Sequence, residues 1–300
     1  MTRKPRIRVG GKIGGDLTVI GMVDKSSGRH PVYIAWSHTD WCPVACKVYE
    51  TMARAEHEAK VLFTLNHPNI IRVLGAAPPG VLVTEFLEGP TLHRLIRDCP
   101  GHRMEVSDAM RVAIHIGAAL AHIHRRGAVH LDVKPTNVII TAGRPVLFDM
   151  EAVRALGSPR PQQVMGTGPF IAPEECELRD VTPAADVFSL CATLYQMITG
   201  DIPFAVHKAG RRYPQTHKDA TPPHVLRDGL DPVLSELLMA GLARDPAARP
   251  TLPDLLLALN VFIADGGHMW PDTLHLAVKP PAAPRRGRQA PPALPAPAAA

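Results

Sequence analysis

The chain has 300 residues, of which 46% are hydrophobic and 20% charged, and its formal net charge is +5 with 15 histidines counted as neutral. This length and apolar fraction allow one two-lobed domain or two small ones. A moderately basic chain with 5% aromatic residues and no clustered basic, aromatic-studded face is not expected to bind nucleic acid, and acidic ligands such as nucleotides suit its charge better.

The cysteines and the N-terminus bear on the cellular compartment. An odd number of scattered thiols favours a reducing cytosol over a disulfide framework: Cys42, Cys46, Cys99, Cys176 and Cys191. The Cys42/Cys46 pair lacks a second pair, so no zinc site is expected. No secretory signal is visible, and no run approaches the ~18 apolar residues of a membrane span. We expect a cytoplasmic protein.

The first elements read as a leader followed by a β-hairpin. Residues 1–16 are basic and Gly-rich, but they lack the G-K-[ST] ending of a phosphate loop, so we predict a flexible leader. Two β-rich runs, 17–23 and 32–36, flank a polar connection at 24–31 that contains Gly28.

A strand and a helix follow the hairpin. Residues 44–49 alternate as a strand does, which places Ala45 and Lys47 on one face. The helical run 52–65 that follows contains Glu56 and Glu58. A buried-type strand then leads into a polar, Gly-containing joint within residues 81–89.

The second half is predicted to be mainly helical. An amphipathic helix begins near Ser107 and stops near Gly127. Its histidines have no carboxylate or thiol partner at ligand spacing, so a structural role is favoured over a metal site: His115, His122 and His124. From residue 266 the composition shifts to Pro and Ala, which predicts a disordered tail. An inert tail and a polyproline ligand for a partner protein are both open.

A short loop between two apolar segments carries the chemistry. It reads H-x-D-x-K-x-x-N and contains Asp132, Lys134 and Asn137. Phosphoryl transfer needs position and opposite charge rather than covalent catalysis. Asp132 could accept a hydroxyl proton, Lys134 could steady phosphoryl oxygens, and Asn137 could offer an oxygen to Mg²⁺. For an isolated H-x-D motif, a polar turn between strands is the alternative.

The loop resembles the H-R-D-L-x-x-x-N catalytic loop of eukaryotic-type protein kinases, whose bacterial members are the Hanks-type serine/threonine kinases. Other segments resemble motifs of that family in the same order: V-A-C-K at 44–47, D-M-E at 149–151, G-T-G-P-F-I-A-P-E at 166–174, D-V-F-S-L-C at 186–191 and D-P-A-A-R-P at 245–250. The ordered set covers roughly residues 17–263 and is far more specific than any one motif.

The resemblance implies an α+β, two-lobed protein-kinase fold. A small β-rich N-lobe with one main helix would span 17–87, and a larger α-helical C-lobe would span 88–265. It also implies a protein serine/threonine kinase that uses ATP and Mg²⁺ and acts on protein substrates. A kinase-like scaffold with little transfer activity and a small-molecule kinase of similar fold are the alternatives.

The resemblance also implies the site residues. The catalytic set would be Asp132, Lys134, Lys47, Glu58 and Thr167, with Glu58 as the partner of Lys47 and Glu56 as the second choice. The nucleotide would contact Gly28, Val32, Ala45, Lys47, Thr84, Glu85, Phe86, Leu87, Asn137, Ile139 and Asp149, and the metal would be held by Asn137 and Asp149. Two buried supports are implied as well, Asp186 to the backbone at His130 and Arg249 to Glu174.

Three departures from the family pattern stand out. Leu131 replaces the arginine that pairs with a phosphorylated activation segment, so phosphorylation of Ser158 is not expected to be the main switch. Met150 and Glu151 replace the Phe and Gly of D-F-G. The nucleotide lid keeps only Gly28 of its three glycines, which predicts a less close approach to phosphates.

Overall fold

The computed structural model describes residues 7–23, 30–159, 163–164, 166–205 and 212–265. Within these ranges, an antiparallel β-sheet with one long helix is followed along the chain by a larger part built mainly of helices. The predicted tail at 266–300 lies outside the described residues.

The first lobe is a five-stranded sheet in the order β1-β2-β3-β5-β4. Its strands are β1 (Leu17–Met22), β2 (Val32–Ser37), β3 (Cys42–Val48), β4 (Val73–Ala77) and β5 (Val81–Glu85), and helix α1 (Met52–Phe63) lies between β3 and β4. Strand β3 buries Val44 and Cys46 completely. Because side chains alternate along a strand, Ala45 and Lys47 lie on the opposite face.

Residues 7–16, which belong to the predicted leader, form contacts with the sheet. The backbone of this segment pairs with β1, since Gly10 N donates to Val19 O at 2.8 Å and Val19 N donates to Gly11 O at 2.9 Å. Ile13 is only 3% exposed and belongs to the apolar cluster of the sheet. The buried side chain of Ile13 anchors this glycine-rich segment to the sheet.

The second lobe is built mainly of helices. Its helices are α2 (Leu92–Asp98), α3 (Val106–Arg125), α4 (Pro173–Cys176), α5 (Pro183–Thr199), α6 (Pro223–Leu226), α7 (Pro232–Gly241) and α8 (Leu252–Asp265). Two strand pairs complete it, β6 (Ala128–Val129) with β9 (Arg154–Ala155) and β7 (Val138–Thr141) with β8 (Arg144–Leu147). No helix in the described ranges combines the length and apolar character needed to cross a bilayer.

Local sequence signals explain the limits of α5. The Thr182 hydroxyl accepts a hydrogen bond from Ala184 N, and Pro183 occupies the first turn, where its missing N–H does no harm. Gly200 ends the helix with φ 85°, a conformation that favours glycine. Helix α3 instead begins at Val106 with no side-chain cap, so Ser107 lies inside its first turn.

Candidate active site

The loop that carries Asp132 is fixed to the start of α5 by one buried carboxylate. Asp186, which is fully buried, accepts hydrogen bonds from the backbone N–H groups of His130 and Leu131, both at 2.8 Å. His124 Nε2 lies 2.7 Å from the same carboxylate. The predicted contact between Asp186 and His130 is thus confirmed, and the buried charge is satisfied as burial requires.

The carboxylate of Asp132 is held from both of its oxygens. Lys134 Nζ and Asn137 Nδ2 donate to Oδ2 at 2.6 and 2.9 Å. Thr167 Oγ1 donates to Oδ1 at 3.2 Å and accepts from Lys134 Nζ at 2.5 Å. A carboxylate with this many donors has one orientation, as a positioned general base needs.

Two backbone features allow this arrangement. Gly166, next to Thr167, has φ 88°, and a Cβ there would lie 2.9 Å from the carbonyl oxygen of Leu131. Leu131 itself has φ 65° although it is 3% exposed and not glycine. Non-glycine residues in this region are strained and are found preferentially at functional sites.

His130 stabilises the loop as a neutral imidazole. Burial lowers its pKa from the ordinary histidine value. Its Nδ1 accepts a hydrogen bond from Asp132 N at 3.2 Å, which requires that this nitrogen carry no proton. The turn that presents Asp132 is therefore closed by a side chain of the same motif.

Lys47 on β3 meets two of the predicted carboxylates. Its Nζ lies 3.2 Å from Glu58 Oε2 and 2.7 Å from Asp149 Oδ1. The other oxygen of Glu58 accepts from Met150 N at 2.9 Å. Glu58 is 3% exposed whereas Glu56 is exposed, so Glu58 is confirmed as the partner.

The charges around Lys47 keep it protonated. Burial by itself would lower the pKa of Lys47, but Asp149, Glu58 and Glu151 together hold that pKa above the ordinary lysine value. Burial also raises the pKa of Glu58, against the opposing effects of Lys47 and the Met150 N–H. A fixed ammonium at this position suits an anionic ligand.

Asn137 and Asp149 can offer oxygens to a cation. Asn137 uses its amide N–H₂ on the backbone and carboxylate of Asp132. No described residue donates a hydrogen bond to Asn137 Oδ1 or to Asp149 Oδ2, which leaves a carbonyl and a carboxylate oxygen for a hard cation. These two residues fit a divalent metal ion.

The apolar residues predicted to hold the base share the cleft side of the sheet. Strand register pairs Val32 with Lys47 and Ala45 with Thr84, so these side chains lie on one face. Ile139 on β7 forms an isolated β-bridge with Thr91, in the segment that follows β5. Gly28 lies outside the described residues.

Residues 85–87, at the end of β5, form the predicted hinge that would contact the base, and neighbouring segments hold them in place. Glu85 Oε1 accepts from Arg72 N at 2.8 Å, and Leu87 is 8% exposed, with Phe86 between them. Gly89 has φ 153°, and a Cβ there would lie 1.9 Å from the carbonyl oxygen of Ile140. The chain can pass this close to β7 only with glycine at that position.

A cavity of about 260 Å³ lies beside Thr167. Among the described residues it is lined by Val164, Gly166, Gly168, Ile171, Arg212 and Tyr213. A second cavity, of about 470 Å³, includes Glu85 and Phe86 but otherwise residues outside the predicted nucleotide set. The smaller cavity is lined by Gly166 and Gly168, the two neighbours of Thr167 in the chain.

Sequence reasoning missed three contacts of the site. His124 bonds to Asp186, although no carboxylate partner was expected for it. Glu151 lies near both Lys47 and His30. These partners are 62, 104 and 121 positions apart in the sequence, so no local spacing pattern could show them.

Residues 28–259 match the family model described as the protein kinase domain. The chain belongs to this family. Members of the protein kinase domain family use ATP and a divalent metal ion and act on protein substrates. The family and the two-lobed fold expected from the sequence are thereby confirmed.

Bacterial serine/threonine-protein kinases are among the relatives of this kinase domain. It is 35% identical over 229 residues to the serine/threonine-protein kinase PkaA of Streptomyces coelicolor, which covers 72% of this chain and 41% of that protein. It is 32% identical over 212 residues to PknA of Mycobacterium tuberculosis, covering 67% of this chain and 48% of that protein. The chain therefore spans less than half the length of these relatives.

A solved structure matches the same fold. The kinase domain of Mycobacterium tuberculosis PknI superposes with a TM-score of 0.67 at 24% identity, covering 86% of this chain and 99% of that one. At this identity the likeness concerns the fold alone. The described sheet and helices of this kinase domain have the arrangement of that structure.

Proposed function

We propose that this domain is an active serine/threonine protein kinase that transfers the γ-phosphoryl group of ATP to hydroxyl groups of proteins. The observation that carries the proposal is the position of Asp132, whose two carboxylate oxygens are held by Lys134, Asn137 and Thr167 at 2.6–3.2 Å. A scaffold without transfer activity would not need a carboxylate oriented in this way.

The residues divide the work of the transfer between them. The acceptor hydroxyl forms a bond to the γ-phosphorus while the bond from that phosphorus to the departing ADP oxygen breaks. The hydroxyl proton goes to Asp132, which acts as the general base. Lys134 faces the transferring group, and Lys47, oriented by Glu58, holds the nucleotide phosphates.

Asn137 and Asp149 would hold Mg²⁺. Their available carbonyl and carboxylate oxygens are ligands that this ion prefers, and Mg²⁺ is commonly held by few protein oxygens together with substrate phosphates. When bound, the ion neutralises negative charge on the phosphate oxygens. Val32, Ala45, Thr84 and Ile139 would enclose the base, and the hinge at 85–87 would contact its edge.

The acceptor side favours a hydroxyl of a protein. Thr167 Oγ1 contacts both Asp132 and Lys134, and the cavity beside it offers about 260 Å³ for a side chain of the acceptor protein.

We place the domain in the cytoplasm, since its five cysteines are unpaired. A partner for the tail stays a prediction.

Transfer of radiolabel from ATP to a general protein acceptor tests the proposal. We expect Asp132→Asn to lower the rate by about 10²–10⁴-fold, the usual contribution of a general base. Asp98→Asn, an exposed carboxylate on α2, is the matched control and should keep the wild-type rate. Equal labelling by wild-type and Asp132→Asn would leave only a scaffold role.

Mapping of the phosphorylated residues distinguishes protein phosphorylation from transfer to a small molecule. Phosphoserine and phosphothreonine in the labelled protein would support the proposed acceptor. ATP turnover without any phosphoprotein would instead indicate a small-molecule kinase.

A further inference from the structure

Two positions at which the family motifs carry glycine hold side chains in this chain. In the nucleotide lid only Gly28 remains of the three glycines, and His30 stands near one of the other glycine positions, two residues before Val32. The motif D-F-G ends in glycine, and Glu151 stands there after Asp149. A side chain at either position adds atoms next to the nucleotide phosphates.

The two added side chains meet each other and Lys47. Glu151 Oε1 lies 3.6 Å from His30 Nε2, and Glu151 Oε2 lies 3.7 Å from Lys47 Nζ. They come from connections 121 positions apart in the sequence. One carboxylate therefore bridges the start of β2 and the lysine of β3 across the proposed nucleotide site.

His30 is fixed in place while Glu151 is accessible. His30 is 7% exposed, and its ring packs against Tyr49 in a tilted arrangement with ring centroids 4.5 Å apart. Lys47 Nζ lies 5.0 Å from the centroid of the same Tyr49 ring. No described residue forms a hydrogen bond to His30 Nε2, and the side chain of Glu151 is 36% exposed.

Glu151 is the surplus carboxylate at Lys47. Asp149 and Glu58 contact the ammonium at 2.7 and 3.2 Å and have the roles proposed above. Glu151 is more distant, at 3.7 Å, and adds a third negative charge beside the ammonium group of Lys47. Nucleotide phosphates that approach Lys47 meet this charge and are repelled by it.

We propose that His30 and Glu151 form a latch over Lys47 that lowers the affinity of the domain for nucleotide phosphates. The His30–Glu151 latch lies across the lysine in the nucleotide-free domain, and Glu151 must move aside when phosphates bind. The contacts of Glu151 with His30 and Lys47 are longer than hydrogen bonds, so each separates more easily than the Lys47–Asp149 contact. The inference rests on the proposed nucleotide site at Lys47 but not on phosphoryl transfer.

Nucleotide binding measured by calorimetry tests the latch without any transfer step. We expect Glu151→Gln to tighten binding of Mg-ADP by about fivefold or more, as loss of a nearby like charge predicts. Adenosine, which has no phosphates, should bind wild-type and variant equally. Glu56→Gln removes an exposed carboxylate from α1 and should leave both affinities unchanged.

The role of His30 is tested in the same assay. His30→Phe keeps a ring against Tyr49 but removes Nε2, so Glu151 loses its anchor. We expect Mg-ADP binding to tighten in His30→Phe, and we expect no further gain when this change is added to Glu151→Gln. Independent residues would give additive effects, which would refute the coupling.

The outcomes separate the latch from the proposed function. Equal Mg-ADP affinity in wild-type, Glu151→Gln and Glu151→Gly, or an equal gain for adenosine, overturns the latch and leaves the kinase proposal standing. Absence of Mg-ADP binding in every variant overturns the nucleotide site and the latch together. Glu151→Gly restores the family's glycine at an accessible position, which guards against a variant that fails to fold.

Discussion

Arg249 and Glu174 form a two-point ion pair in the interior of the second lobe. Nη1 and Nη2 of Arg249 donate to Oε1 and Oε2 of Glu174 at 2.7 and 2.8 Å, and both side chains are almost fully buried. Arg249 also donates to the carbonyl oxygens of Ala184 and Ala243. The pair joins the loop before α8 to the segment after Thr167, with every strong charge satisfied.

We expect Arg249→Ala to lower the free energy of unfolding by about 3–5 kcal/mol, because it leaves the Glu174 carboxylate buried without a partner. Urea unfolding followed by circular dichroism measures this. Arg244→Ala is the matched control, since its contact with Asp219 is exposed and should contribute at most about 1 kcal/mol. Similar losses in the two variants would contradict the importance of the buried pair.

Glu175, the neighbour of Glu174, is a buried carboxyl with a different character. Burial raises its pKa well above the ordinary glutamate value, against the backbone N–H of Ala172 that donates to Oε1 at 3.2 Å. Above the unfolded-state pKa the unfolded chain binds fewer protons at this site than the folded one. Stability therefore falls as pH rises from about 4.5 through the raised folded pKa.

We expect Glu175→Gln to remove this loss while its Oε1 still accepts from Ala172. The variant should be more stable than wild type by about 1 kcal/mol or more at pH 8, and the gain should disappear as pH approaches about 4.5. Urea midpoints at several pH values measure the difference. Glu177→Gln, at an accessible position of the same segment, should show no such trend, and a pH-independent gain in Glu175→Gln would refute the explanation.

The sequence predicted some contacts of the candidate site and missed others. Asp132, Lys134 and Asn137 lie on one loop, so the spacing alone brings them together. The partnership of Lys47 with Glu58 came from the resemblance to the family, applied to a strand and a helix that are adjacent in the chain. Longer connections such as Arg249 to Glu174 came from the resemblance to the family, since nothing in the local pattern indicates them.

Other features depend on tertiary packing and were not predictable. Residues 7–16 look like a linker in composition, yet Ile13 reaches the apolar cluster of the sheet and fixes the segment. His124 has no partner within helical spacing and finds Asp186 from another helix. The meeting of His30 and Glu151 requires two departures from the family pattern, and each of them alone looks only like a lost glycine.

Thr167 provides a test of the acceptor side of the site. We expect Thr167→Val to lower kcat for protein phosphorylation by about tenfold or more, because hydrogen bonds to charged groups contribute about 1.5–3 kcal/mol. Thr167→Ser keeps the hydroxyl between Asp132 and Lys134 and should restore most of the rate. Steady-state kinetics should show little change in KM for ATP, since the hydrogen bonds of the Thr167 hydroxyl are with Asp132 and Lys134.

Thr64→Val is the control for this series, because within the described residues its hydroxyl bonds only to the nearby Val61 carbonyl at the end of α1. A rate for Thr167→Ser as low as that for Thr167→Val would show that the threonine methyl group, and not the hydroxyl, matters.

Ser158 and Leu131 together predict that phosphorylation of Ser158 is not the main switch of the domain. Ser158 is exposed and donates to the carbonyl oxygen of Ala155 at 2.5 Å, so its hydroxyl already has a local partner. Leu131 is 3% exposed and apolar, and it cannot pair with a phosphate as the family's arginine does. We expect Ser158→Ala and Ser158→Glu to keep the wild-type rate within about twofold, as surface substitutions usually do. Initial rates on phosphatase-treated protein measure this, and a tenfold fall in Ser158→Ala with recovery in Ser158→Glu would establish Ser158 as a phosphorylation switch.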